Sequence, residues 1–94
     1  MPSSFEAVRA EALFVSTLQR SAHPAADQVR GAVATTLRRW GVRGCAAQVA
    51  GEFGDHPDTA VARMTWALAT IRAVYTSRSA ATRAAQAGPV ALAS

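Results

Sequence analysis

The residues able to do chemistry are few and far apart. Cys45 is the single cysteine, His23 and His56 are the only histidines, and Asp55 and Asp58 are the closest thing to a carboxylate pair. A catalytic thiol needs a depressed pKa and a base beside it. Cys45 opens a short helical stretch whose dipole could lower that pKa, but free cysteines more often serve as small core residues, and that is the role expected of Cys45. One Cys and two His at wide spacing lack the clustered ligands of a zinc site, so no metal is expected. Gly41, Gly44, Gly51 and Gly54 form neither a P-loop nor a dinucleotide fingerprint, which leaves no cofactor to propose. Asp55 and Asp58 are explained by helix capping and by the positive end of a helix dipole. The chain does not read as an enzyme.

What remains is binding. All ten basic residues are Arg, and the net charge is +4, a balance that favours polyanionic partners such as nucleic acid or acidic protein surfaces. The absence of Lys excludes Schiff-base chemistry. Trp40 and Trp66 could stack on bases or anchor an interface, and the periodicity around them favours core packing for Trp40 and an interface for Trp66.

These residues must be positioned by helices. The hydrophobic fraction is 50%, yet 23 of those residues are Ala, so close helix packing has to replace bulky side chains. No segment shows the alternation of a strand. The expectation is an all-α fold, a small four-helix domain over residues 1–78 with helices at about 4–20, 24–40, 44–53 and 56–77. An Ala-rich flexible tail is expected over 79–94. Ser3 and Glu6 have capping-box spacing, Pro24 and Pro57 suit first helical turns, and Gly41 and Gly54 suit helix ends. Apolar faces follow the i, i+3, i+4 rule at Phe5, Val8, Ala12 and Val15 in the first helix and at Val29, Ala32, Val33, Thr36, Leu37 and Trp40 in the second. In the third they fall at Ala46, Val49, Ala50 and Phe53, and in the fourth at Ala60, Met64, Ala67, Leu68, Ile71 and Tyr75. The longest run of large apolar residues, about Met64–Ile71, falls well short of the ~20 residues of a membrane span. The start of the chain carries acidic residues where a secretory signal is basic and then apolar. A soluble, cytoplasmic protein with no membrane partner is expected.

Residues 44–67 hold a second pattern: Ala50, Gly54, then His56–Pro57–Asp58–Thr59, then Arg63 and Met64. This spacing resembles the helix-turn-helix of bacterial DNA-binding proteins, and most of all the last domain of sigma factors. In that family a small residue sits where two helices cross, a Gly with positive φ makes the turn, and the second helix enters the major groove. The resemblance implies that the last three helices form a helix-turn-helix-like unit. It also implies a DNA-binding protein, such as a transcription regulator or a chromosome-associated protein, acting as a homodimer. His56, Thr59 and Arg63 would then contact DNA at the turn, while Arg38, Arg39 and Arg43 grip flanking phosphates. Asp55 departs from the pattern, because the family places an apolar residue after the turn Gly.

The other reading is a helical protein–protein interaction module with no nucleic-acid role. Ala62, Trp66, Ala69 and Ala73 form a second apolar stripe on the last helix, opposite the one centred on Met64, and would be its interface. The first helix or another subunit could cover that stripe. The two readings part on one point: whether Arg63 lies on an exposed face together with Arg38, Arg39 and Arg43.

Overall fold

The structure, a computed structural model, describes the backbone of residues 4–93 and the side chains of residues 5–76. It is all-helical among those residues, with α1 at Ser4–Val15, a short 3₁₀ turn at Arg20–Ala22, α2 at Ala26–Asp55 and α3 at Pro57–Ala93. No helix among the described residues is long and apolar enough to cross a membrane. Three α-helices thus stand where the sequence suggested four. The second and third expected segments join into α2, which bends at Gly41, a residue with φ 70° and ψ 170° inside the element. Only glycine tolerates that combination, so Gly41 does break the helical geometry, but the chain resumes the helix directly after it.

Helix α1 ends at Val15 rather than near Arg20 because Ser16 competes for its backbone. The Ser16 hydroxyl donates to Leu13 O at 2.6 Å and accepts from Leu18 N at 3.3 Å, a local alternative to another helical turn. The chain then turns through the 3₁₀ segment. His23 takes a left-handed conformation and donates its N–H to Arg20 O. At the start of α2, Gln28 Oε1 accepts from Ala25 N at 2.8 Å, one half of a capping box, and the helix begins after Pro24 rather than at it. The capping pair proposed for α1 involves Ser3, which lies outside the described residues.

The core lies along α1. Ala10, Ala12, Leu13 and Phe14 are all buried. Residues 12 to 14 advance around a helix by about 200°, so α1 is covered on more than one side. It packs against both α2 and α3, and its burial on more than one side makes it the central helix. Val29 and Val33 of α2, Cys45 beyond the bend, and Ala67 and Ile71 of α3 complete the buried cluster. Side chains such as Leu13, Val29 and Ile71 each stabilise the fold by about 1.5–3 kcal/mol through burial. Phe14 stacks on Phe53 with ring centroids 6.1 Å apart, tying α1 to the last turn of α2.

The expected faces hold for α3 and for the first part of α2, where Val29, Val33, Thr36, Ala60, Ala67 and Ile71 are buried. Elsewhere they shift. Phe5 is 73% exposed and Trp40 is 41% exposed, so neither is core. Beyond Gly41 the inward line is Cys45, Val49 and Phe53, while Ala46 and Ala50 face solvent. Val49 and Phe53 thus lie on the expected side, with Cys45 in place of Ala46 and Ala50. The α3 backbone continues as helix as far as Ala93, past the expected end near Ser77. The flexibility expected of the tail over 79–94 lies outside the residues whose side chains are described.

The turn before α3 also differs from its expected form. Gly54 is helical and has no positive φ, and a Cβ added there would meet nothing within 4 Å. The chain reverses at His56, whose N–H donates to Glu52 O at 2.7 Å while its carbonyl accepts from Ala60 N at 2.9 Å. Asp55 belongs to α2 and not to the start of α3. Gly41 and Gly54 should therefore respond in opposite ways to alanine. Gly41→Ala forces a side chain into a glycine-only conformation and should destabilise the protein by about 1–3 kcal/mol. Gly54→Ala should leave stability unchanged or raise it by up to about 1 kcal/mol. Urea unfolding followed by circular dichroism measures both, and a large loss at Gly54 would restore the turn role to that residue.

Candidate interaction groove

Arg63 lies on the inner side of the first turns of α3. Its guanidinium reaches the C-terminal end of α1: Nε donates to Phe14 O at 2.7 Å, and Nη2 donates to Ser16 O at 3.0 Å, Leu18 O at 3.1 Å and Leu13 O at 3.3 Å. The last carbonyls of a helix have no partners within it and carry the negative end of its dipole, so one planar cation satisfies several acceptors at once. The Phe14 and Trp66 rings both lie against the guanidinium, with centroids 5.8 and 5.2 Å from its carbon. Burial lowers the Arg63 pKa from its ordinary value, but arginine stays protonated throughout the physiological range. Arg63, expected at a DNA groove, thus has its Nε and Nη2 donors engaged by backbone carbonyls of its own chain.

The other residues expected to touch DNA are scattered. His56 and Thr59 are exposed at the turn between α2 and α3. Thr59 shares a small pocket with Gln48, Glu52, Arg63 and Phe14, which sets a carboxylate beside it. Arg38, Arg39 and Arg43 are exposed near the bend of α2. Arg38 donates to Thr35 Oγ1 at 3.3 Å, and Arg39 lies 5.7 Å from the Trp40 ring centroid. The part of α2 beyond Gly41 spans roughly 20 Å, so these three arginines and the His56 turn occupy opposite ends of it. Arg72, which could have extended a basic strip, pairs with Glu6 Oε1 at 2.7 Å. The side chains of Arg78 and Arg83 lie outside the described residues.

The stripe of interface candidates is open. Ala62, Ala69 and Ala73 are exposed and Trp66 is half-buried. Two sets of positions on α3 explain this: 60, 64, 67 and 71 face the core, whereas 62, 66, 69 and 73 are offset from them by two residues, about 200° around the helix. The first set packs into the core, and of the second set the three alanines stay exposed while Trp66 is partly packed against the core. Ala62, Trp66 and Ala69 form the floor of a groove of about 750 Å³, together with Thr65 and Thr70. Arg20 of the 3₁₀ turn, with His23 and Pro24 just after it, lines it as a wall. Sequence periodicity identified the floor. It could not identify the wall, because His23–Pro24 reads only as the start of a helix and nothing local links it to Trp66.

Cys45 is 1% exposed, and burial first, then the charge of Glu11, raises its thiol pKa, the reverse of what a nucleophile needs. Among the described residues no group of three or more His, Cys, Asp or Glu could hold a metal ion.

Removal of the Arg63 guanidinium should unfasten the end of α1. Hydrogen bonds to a charged group stabilise by about 1.5–3 kcal/mol each when the partners are left buried, so Arg63→Ala should lower stability by at least that range. Arg63→Lys should recover only part of the loss, because one ammonium cannot span four carbonyls. Chemical denaturation of both variants tests this, and a neutral Arg63→Ala would deny the cap its structural role. No family model, no curated protein and no solved structure matches this chain.

Proposed function

We propose that this protein is a helical interaction domain that docks a partner helix in the groove floored by Ala62, Trp66 and Ala69. The observation that carries this reading is the contrast between two faces of α3. Arg63, the cation best placed by sequence to enter a DNA groove, is engaged with the end of α1, while the Trp66 face is open. The spacing of 62, 66, 69 and 73 alternates four and three residues, the seam on which a second helix packs with a slight left-handed crossing. Three of these positions are Ala, which lets a partner backbone approach closely, and Trp66 supplies the large half-buried anchor typical of interface hot spots.

The test is a titration with a helical peptide of about four turns that carries a Leu seam and neutral Gln flanks. Intrinsic fluorescence in a Trp40→Phe background reports Trp66 directly. Saturable binding is expected, and in the otherwise unchanged protein Trp66→Ala, followed by calorimetry, should weaken it at least about tenfold, within the range of a hot-spot truncation. Helical content should be retained. Equal affinity in the Trp66→Ala variant would sink the reading.

A second reading, DNA binding through a helix-turn-helix-like unit, is favoured by the exposure of Arg38, Arg39 and Arg43. If these side chains meet phosphates, anisotropy of a labelled duplex should show binding that falls steeply between about 50 and 200 mM salt. Arg39→Ala and Arg43→Ala should then flatten that dependence. Absence of binding at the lower salt would remove this reading.

A further inference from the structure

We infer that the helix seated in the Trp66 groove is an acidic amphipathic one from another protein, its carboxylates flanking an apolar seam and facing Arg20. The inference rests on the docking role proposed for the groove and adds the chemistry of its occupant.

The distribution of charge carries it. The six carboxylates of the chain are Glu6, Glu11, Asp27, Glu52, Asp55 and Asp58, and none follows residue 58. From residue 59 onward the ionisable side chains are Arg63, Arg72, Tyr75, Arg78 and Arg83. The groove itself is lined by Arg20, His23, Pro24, two threonines, two alanines and Trp66, with no carboxylate. Arg20 is exposed, and it stands on the wall opposite the α3 floor. An apolar helix lying on Ala62, Trp66 and Ala69 would bring its flanking residues against Arg20 on one side and toward Thr65 and Thr70 on the α3 side. Acidic flanks there meet the Arg20 cation, whereas basic flanks meet like charge; the Thr65 hydroxyl is already engaged with Val61 O at 2.8 Å.

The same distribution argues against a second copy of this chain. Pairing two copies through this groove would set linings that each hold Arg20 and no carboxylate against one another. An acidic partner removes that repulsion. Duplex DNA is also polyanionic, but it presents no apolar seam for the Ala62, Trp66 and Ala69 floor, so the protein helix is the better match.

The experiment compares three peptides that share one Leu seam and differ only in their flanks, which carry Glu, Gln or Lys. Binding to the full chain is followed by calorimetry, and sedimentation equilibrium of the protein alone reports self-association. The Glu peptide should bind about five- to tenfold more tightly than the Lys peptide, the size expected of exposed charge pairs. Arg20→Glu, a change in an exposed turn, should abolish or reverse that preference while leaving the Gln peptide unaffected. Equal binding of all three peptides would overturn the acidic partner and leave the docking role standing. Failure of all three would remove the docking role as well. A stable dimer of the chain that is lost in Trp66→Ala would make the occupant a second copy, and displacement of the Glu peptide by duplex DNA at equal concentration would make it nucleic acid. Either outcome overturns the proposal.

Discussion

One guanidinium holds the end of the central helix. α1 is only 12 residues long, packs against both other helices and has a part-buried C-terminal end. A helix end in that position has carbonyls that water cannot reach freely, and leaving them unpaired costs more than any single contact in this Ala-rich core returns. Ser16 satisfies part of the need locally. Arg63 meets the rest from a position 45 to 50 residues further along the chain. Its charge adds a favourable interaction with the helix dipole, and its flat fork reaches carbonyls on both sides of the chain turn. Among the described residues its hydrogen bonds run to carbonyls, and the faces of Phe14 and Trp66 add to the compensation of its charge.

The rest of the arrangement follows from fastening α1 at that point. With its C-terminal end joined to the start of α3, the Glu6–Arg72 pair ties its N-terminal end further along the same helix, so α1 and α3 run side by side. Phe14 is held between Arg63 and Phe53, which brings the last turn of α2 onto the same end of α1. α2 must then cover α1 along its first part and still return to Phe53. A straight 30-residue helix of roughly 45 Å cannot do both against a 12-residue partner, and Gly41 supplies the bend.

Much of this was readable from the sequence because helical periodicity reports which side of a helix is buried. Val29, Val33, Thr36, Ala60, Ala67 and Ile71 were found that way, as was the separate Trp66 stripe. Gly41 was recognisable as a break in helical geometry, although the helix resumes immediately after it. What escaped depends on tertiary placement. Val49 and Phe53 were read inward correctly, but Ala46 and Ala50 were placed beside them where the structure has Cys45, because small alanines do not tell a buried flank from an exposed one. Gly54 fits a turn in spacing, yet the chain reverses two residues later at His56. Arg63 carries no local signal of its role: an arginine four residues after a helix-opening Thr looks the same whether it faces a phosphate or the end of another helix. The wall of the groove was equally invisible, since it consists of a turn about 40 residues from Trp66 in sequence that α1 brings alongside.

The cap and the groove share a side chain, and that joins stability to recognition. The face of Trp66 against Arg63 fixes the indole, so the anchor is held in place before any partner arrives and less side-chain freedom is lost on binding. The same contact covers part of a guanidinium that is half-buried. A residue whose Nε and Nη2 donors are engaged at 2.7–3.3 Å by carbonyls would have to release the end of α1 before using them on another partner. Its position in the chain resembles that of a recognition-helix arginine, but its energetics belong to the fold. On the stripe beside it Ala62, Ala69 and Ala73 stay exposed, while Trp66 packs partly against the core, so the proposed docking face is one that the fold itself anchors at its centre.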